Sequence, residues 1–290
     1  NMTAPFLIPF KQIDVFTQGS FMGNPVAVVL DGNSLTTTQM QKIANWIHLS
    51  ETTFVCKAEN KTADYRLRIF SPQHELPFAG HPTIGSAYAV LKSGLSPKHD
   101  NYLVQECGSG LVKIYLSKNQ LFLTLPEAKK EKISHNIIIK ISQALGISVS
   151  DIQYGEKIDV GVIWYTLQLK NAEQVLKIKP DMKNLANITN ESASGVTIFG
   201  EYPQSNKERF EVRSFAPSEG ADEDPVCGSG NGCVAVSVRD RKLLGNRTEY
   251  VASQGTCLGR KGQIYVKIPQ AGQILIGGYA TACIEGNIQV

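Results

Sequence analysis

Four side chains in this sequence have the types and surroundings that proton chemistry needs: Glu51, His81, Asp224 and Ser229. Glu51 stands in an otherwise apolar, β-prone run, Ser50-Glu51-Thr52-Thr53-Phe54, where a half-buried carboxylate suits general-base work. His81 falls at the start of a predicted helix and can donate or accept a proton. Asp224 and Ser229 flank Pro225-Val226-Cys227-Gly228 ahead of a second predicted helix, so each is a candidate for substrate contact or for capping. Cys227, before Gly228-Ser229-Gly230 at a helix start, is a candidate low-pKa thiolate. A two-thiol racemase would need a cysteine at the matching place in the first half, and Ala79 stands there.

The elements that position these residues occur twice in the same order. Gly23-Asn24-Pro25-Val26 leads into an apolar strand, as does Gly161-Val162-Ile163-Trp164. Glu51-Thr52-Thr53-Phe54-Val55 is matched by Gly195-Val196-Thr197-Ile198-Phe199. Arg68-Ile69-Phe70-Ser71-Pro72 leads on to Gly80-His81-Pro82-Thr83, and Arg213-Ser214-Phe215-Ala216-Pro217 to Gly228-Ser229-Gly230-Asn231. Three blocks in register point to duplication, with a period too long for a solenoid. The apolar spacing predicts helices over Thr36–His48 and Pro180–Asn190, the latter with Pro180 in the first position. Two further helices are predicted at Thr83–Ser93 and Asn231–Leu244, closed by Gly94 and Gly245.

The fold class expected is therefore α+β: two similar lobes related by pseudo-two-fold symmetry, each a curled, mostly antiparallel sheet around a central helix. The lobes are placed at residues 1–128 and 129–290, with terminal strands free to cross between them. Glycine before a helix lets backbone approach a ligand closely, and a helix start offers N–H groups and partial positive charge. Two such starts facing each other would cradle a carboxylate or an enolate.

Composition narrows the field. The chain has 290 residues, 29 Lys and Arg against 26 Asp and Glu, and its positive charges are scattered. That speaks against nucleic-acid binding, which wants a basic face. No apolar run approaches the length of a membrane span, and no charged segment followed by an apolar one marks export, so a cytoplasmic protein is expected. Asn1 ahead of Met2 is read as an addition before the natural start. The six cysteines and five histidines show no paired spacing for disulfides or for zinc, and no metal is expected.

These residues resemble the PhzF family of phenazine biosynthesis-like isomerases, within the diaminopimelate-epimerase-like fold. The resemblance is carried by Asp14-Val15-Phe16-Thr17, Gly23-Asn24-Pro25-Val26-Ala27-Val28, Ser50-Glu51-Thr52-Thr53-Phe54 and Leu76-Pro77-Phe78-Ala79-Gly80-His81-Pro82-Thr83. It continues through Arg213-Ser214-Phe215-Ala216-Pro217 and Glu223-Asp224-Pro225-Val226-Cys227-Gly228-Ser229-Gly230. It implies an isomerase that needs no cofactor, with Glu51 as the principal acid/base assisted by His81, Asp224 and Ser229. By the same resemblance Asn24, Gly80, Pro82, Thr83, Cys227, Gly228 and Gly230 contact a small carboxylate substrate, and the protein is a homodimer in a biosynthetic process. In the family's best-known member such a glutamate moves a proton between ring carbons of a dihydroxylated anthranilate; Cys227 stands where that member has threonine. Two alternatives remain open: an amino-acid epimerase or racemase using Cys227 as one base, and a non-catalytic small-molecule binding protein.

Overall fold

The computed structural model describes residues 5–290; Asn1 and Met2 lie outside the described residues. Internal contacts divide the chain into two units, one running to Leu123 and resuming at Gly277–Val290, the other Thr124–Ile276. The first unit comprises β1 (Leu7–Val15), β2 (Asn24–Val29), α1 (Thr37–Ile47), β3 (Thr52–Cys56), β4 (Tyr65–Phe70), β5 (Glu75–Leu76), α2 (Gly80–Lys92), β6 (Tyr102–Cys107), β7 (Gly110–Ser117) and β8 (Gln120–Thr124). The second comprises β9 (Lys129–Glu131), α3 (His135–Leu145), β10 (Tyr154–Asp159), β11 (Ile163–Gln168), α4 (Ala172–Lys177), α5 (Met182–Thr189), β12 (Gly195–Glu201), β13 (Phe210–Ala216), β14 (Ala221–Asp224), α6 (Gly228–Asp240), β15 (Glu249–Gln254), β16 (Gly262–Lys267) and the first half of β17 (Leu275–Gly278). The last strand, β18 (Ala280–Gln289), pairs antiparallel with β1 in the first unit.

Each unit is a mixed α+β structure with the same succession of pairings. In the first, β1 runs antiparallel to β2, β2 parallel to β3, β3 antiparallel to β4, and β4 parallel to β6. In the second, β10 and β11 are antiparallel, β11 and β12 parallel, β12 and β13 antiparallel, and β13 and β15 parallel. The registers set Ala27 opposite Thr52 and Tyr165 opposite Val196, then Thr53 opposite Ile69 and Thr197 opposite Ser214. Counting along those strands matches Arg68 to Arg213 and Glu51 to Gly195, the same matches the repeated blocks give in the sequence.

The central helix of each unit is α2 or α6, thirteen residues each and buried on nearly every side. Neither is a strong helix by composition. Gly228, Gly230 and Gly232 each cost about 1 kcal/mol relative to alanine, so α6 is held by burial against β11, β12 and β16. Small residues are what let the strands close in. A Cβ on Gly85 would stand 2.4 Å from Val26 Cγ1, and one on Gly232 2.5 Å from Leu125 Cδ1. On the opposite faces, α1 covers Val29, Phe54 and Phe70, while α3 and α5 cover Leu167, Val196 and Ile198.

Helix boundaries differ from the sequence expectations in instructive ways. α1 begins after Thr36, whose hydroxyl caps Gln39 N–H, close to the expected start. α5 excludes Pro180, because Asp181 takes the cap by accepting from Asn184 N–H. α2 starts at Gly80 rather than Thr83; proline is tolerated in a first turn, where its missing N–H has no intrahelical partner. α6 starts at Gly228 rather than Asn231 and ends near Asp240 rather than Leu244, where Lys242 turns the chain with φ of 55°. α3 has no counterpart among the sequence expectations; Ser134 caps its start and Gly146, at φ 71°, ends it. Among the described residues no helix is long and apolar enough to cross a membrane.

Candidate active site

In the first unit the structure brings Glu51 and His81 together. Glu51 lies one residue before β3, after the turn that His48 makes at the end of α1 with φ of 62°. His81 is the second residue of α2. Its Nε2 lies 3.6 Å from Glu51 Oε2 and 3.3 Å from the Pro25 carbonyl oxygen. A carbonyl oxygen only accepts, so the contact with Pro25 requires a proton on Nε2. Both side chains are mostly enclosed, 11% exposed for His81 and 18% for Glu51. Glu51 Oε2 is buried and accepts no hydrogen bond from the protein. A buried carboxylate oxygen without a donor is costly unless something else supplies the proton. Asn24 is buried at the start of β2, beside Pro25.

Pro82 and Thr83 serve the core. Pro82 is buried, and Thr83 Oγ1 accepts from Gln105 Nε2 at 3.1 Å, while Gln105 Oε1 accepts from Tyr65 OH at 3.0 Å. This chain of three ties α2 to β6 and β4 and leaves Thr83 facing inward.

In the second unit Asp224, Cys227, Gly228, Ser229 and Gly230 form one connected turn. Asp224 Oδ1 accepts from Val226 N–H at 3.1 Å. Gln254 spans the turn: its Nε2 donates to the Asp224 carbonyl, and its Oε1 accepts from Cys227 N–H and Asn231 Nδ2. Cys227 caps α6 with sulfur, accepting from Gly230 N–H at 3.3 Å. Burial, reinforced by the charge of Asp224, pushes its thiol up to about 12, so the expected low-pKa thiolate is not what the fold makes. Gly230 is glycine for packing, since a Cβ would stand 2.4 Å from Ser214 Oγ. Gly80 and Gly228 are different. A Cβ on either would meet nothing within 4 Å, so packing requires glycine at neither.

Sequence reading did not single out two contributors. Trp164 of β11 donates its Nε1–H to Ser229 Oγ at 2.9 Å, and Gln254 holds the turn before α6. Both are distant in sequence, and only strand register brings them in. A tryptophan three residues after the glycine of a repeated block was the available signal.

Comparison with known proteins decides the family. The phenazine biosynthesis-like family, PhzC-PhzF, matches residues 13–286. The chain belongs to this family. It is 41% identical to antisense-enhancing sequence 1 of Schizosaccharomyces pombe, over 96% of this chain and 97% of that one. It is 34% identical to an uncharacterized isomerase of Pasteurella multocida, over 97% and 94%. It is 29% identical to the trans-2,3-dihydro-3-hydroxyanthranilate isomerase of Pseudomonas chlororaphis, over 88% of each. Its fold matches that of the PhzF-family phenazine biosynthesis protein of Bacillus anthracis with a TM-score of 0.86 at 24% identity, covering 98% of this chain and all of that one. This family member is an isomerase.

Proposed function

We propose that the isomerase moves a proton within a small carboxylate-bearing substrate by single-base chemistry, with Glu51 as the base and no cofactor. The observation that carries this reading is the Glu51 carboxylate: enclosed, with one oxygen that accepts no hydrogen bond, and with His81 Nε2 at 3.6 Å. Glu51 takes a proton from a substrate carbon and becomes a carboxylic acid; the electron pair passes into the substrate's conjugated system. The same carboxylic acid returns the proton to a second atom, and the carboxylate is regenerated. His81, with Nε2 3.6 Å from Glu51 Oε2, supports the carboxylate's charge before the first step and after the second. By the same reading Asp224 and Ser229 are assigned polar contacts to substrate, and Asn24, Gly80 and Gly228 backbone and side-chain contacts. The open space over Gly80 and Gly228 supports close approach by a ligand.

The Pseudomonas chlororaphis relative makes trans-2,3-dihydro-3-hydroxyanthranilate the first compound to try. In deuterium oxide, wild-type protein is expected to place solvent deuterium in that compound or in a related small carboxylate. Glu51→Gln is expected to slow this by about 100-fold or more, with the thermal unfolding midpoint unchanged. Normal turnover of a proven substrate by Glu51→Gln overturns the assignment. The racemase reading would require Cys227 as a thiolate, which burial opposes. Turnover insensitive to Cys227→Ser removes that reading.

A further inference from the structure

We propose that Trp164 is a positioning residue: it makes Ser229 a hydrogen-bond donor to an anionic ligand oxygen. This rests on the reading of Ser229 as a substrate contact and gives that contact a chemical sign.

The position matching Glu51 is Gly195. A Cβ there would stand 1.9 Å from the Phe215 carbonyl oxygen and 2.8 Å from Trp164 Cζ3. No side chain fits, because a strand carbonyl and the indole ring already occupy the space. The residue matching His81, second in its helix, is Ser229. In the first unit that residue faces a carboxylate, and in the second it faces an indole N–H.

An indole nitrogen can only donate, and Trp164 is 3% exposed, so its N–H is committed to Ser229 Oγ. A hydroxyl has one proton and two lone pairs. With one lone pair taken at 2.9 Å, Ser229 keeps its own proton to give. Within the protein the near neighbour for that proton is Cys227 Sγ at 3.5 Å, a weak acceptor. A carboxylate or enolate oxygen outcompetes sulfur for it. The positive end of α6 favours the same anion. Without Trp164 N–H, the serine could equally turn its lone pair outward and lose the preference for anions.

The test uses anthranilate, a fluorescent small carboxylate, titrated by anisotropy into wild type, Ser229→Ala, Trp164→Phe and the double variant. Phenylalanine keeps a ring over Gly195 and removes only the N–H. Ser229→Ala is expected to weaken binding by about tenfold, and Trp164→Phe by roughly threefold. The double variant is expected to bind no more weakly than Ser229→Ala, because Trp164 acts through that hydroxyl. Losses that add in the double variant overturn the inference, since they mean Trp164 acts by packing. A second readout covers the case in which Trp164→Phe fails to fold. The nitrogen-15 indole signal of Trp164 is expected to move on adding anthranilate in wild type and not in Ser229→Ala, with Trp46, 86% exposed, as the unmoved control. An equal response in both proteins overturns the inference. Binding insensitive to Ser229→Ala, with Glu51→Gln still abolishing exchange, removes this inference and leaves the acid/base reading standing. Absence of anthranilate binding to wild type at millimolar concentration removes the carboxylate reading and the inference together.

Discussion

The two units build the same sequence of strands and the same thirteen-residue central helix, yet they differ most where matching residues meet. At the start of α2, His81 faces Glu51, and a carboxylate oxygen is left without a donor. At the start of α6, Ser229 faces Trp164, and the turn is held by Gln254, which bonds the backbone of Asp224 and Cys227 and the side chain of Asn231. The first arrangement leaves a carboxylate oxygen uncommitted, and the second commits the Ser229 hydroxyl to an indole N–H. Duplication supplied the geometry twice, and single side chains then separated the chemistry.

A second matching pair shows how burial changes the worth of one contact. Arg68 pairs with Glu75 and stacks on Phe70; Arg213 pairs with Glu223 and stacks on Phe215. The Arg68 pair is 19% and 41% exposed, whereas the Arg213 pair is 5% and 9% exposed. Arg213 also donates through Nη1 to the carbonyls of Val175 and Ile178, so it ties β13 to the end of α4 as well as to β14. Removing one partner of a buried pair strands a charge, while an exposed pair is replaced by water.

That contrast sets the largest expected effect on stability. Arg213→Met is expected to lower unfolding free energy by about 3–5 kcal/mol in urea denaturation, and Arg68→Met by about 1 kcal/mol or less. Equal losses would show that the two pairs do the same work. Next come the glycines. Gly195→Ala forces a Cβ against a backbone carbonyl and is expected to cost about 3 kcal/mol, whereas Gly228→Ala, with open space above it, should change the unfolding midpoint little and weaken anthranilate binding instead. A stable Gly195→Ala protein would mean that the second unit can accept a side chain where the first has its acid.

The smallest effect concerns pH. Glu211 is fully buried, and burial raises its carboxyl above the ordinary range despite hydrogen bonds from Tyr202 and Thr256. A carboxyl raised on folding binds its proton more tightly in the folded state. Its contribution is therefore fullest at acidic pH and is lost as pH rises through the folded-state value. The matching first-unit residue is Arg66, which pairs with Glu59 at the surface. Glu211→Gln is expected to flatten the fall in stability between acidic and neutral pH, and Arg66→Gln to leave that slope unchanged, both measured by urea unfolding across pH.

Much of the architecture is legible in the residues. Glycine before a strand, the β-prone block and glycine before a helix repeat in order, and local chemistry of that kind survives folding. What the sequence obscured was local preference overridden by burial. The isoleucine run of α3 prefers strand, and the three glycines of α6 disfavour helix, yet packing decides both. The site was legible as a set of residue types, Glu51, His81, Asp224 and Ser229, without their partners. Trp164 lies 65 residues from Ser229 and Gln254 lies 27 from Cys227, separations that carry no periodic signal.

By itself the sequence determined which groups could carry a proton and that their framework is duplicated, because side-chain chemistry and turn-forming glycine are properties of single residues. Only the tertiary structure decided which groups are enclosed, which are already bonded, and that Cys227 keeps its proton while Glu51 keeps a free oxygen. Burial and partners at long separation exist only once strands have paired, and they set the charge and reach of every group the sequence had supplied.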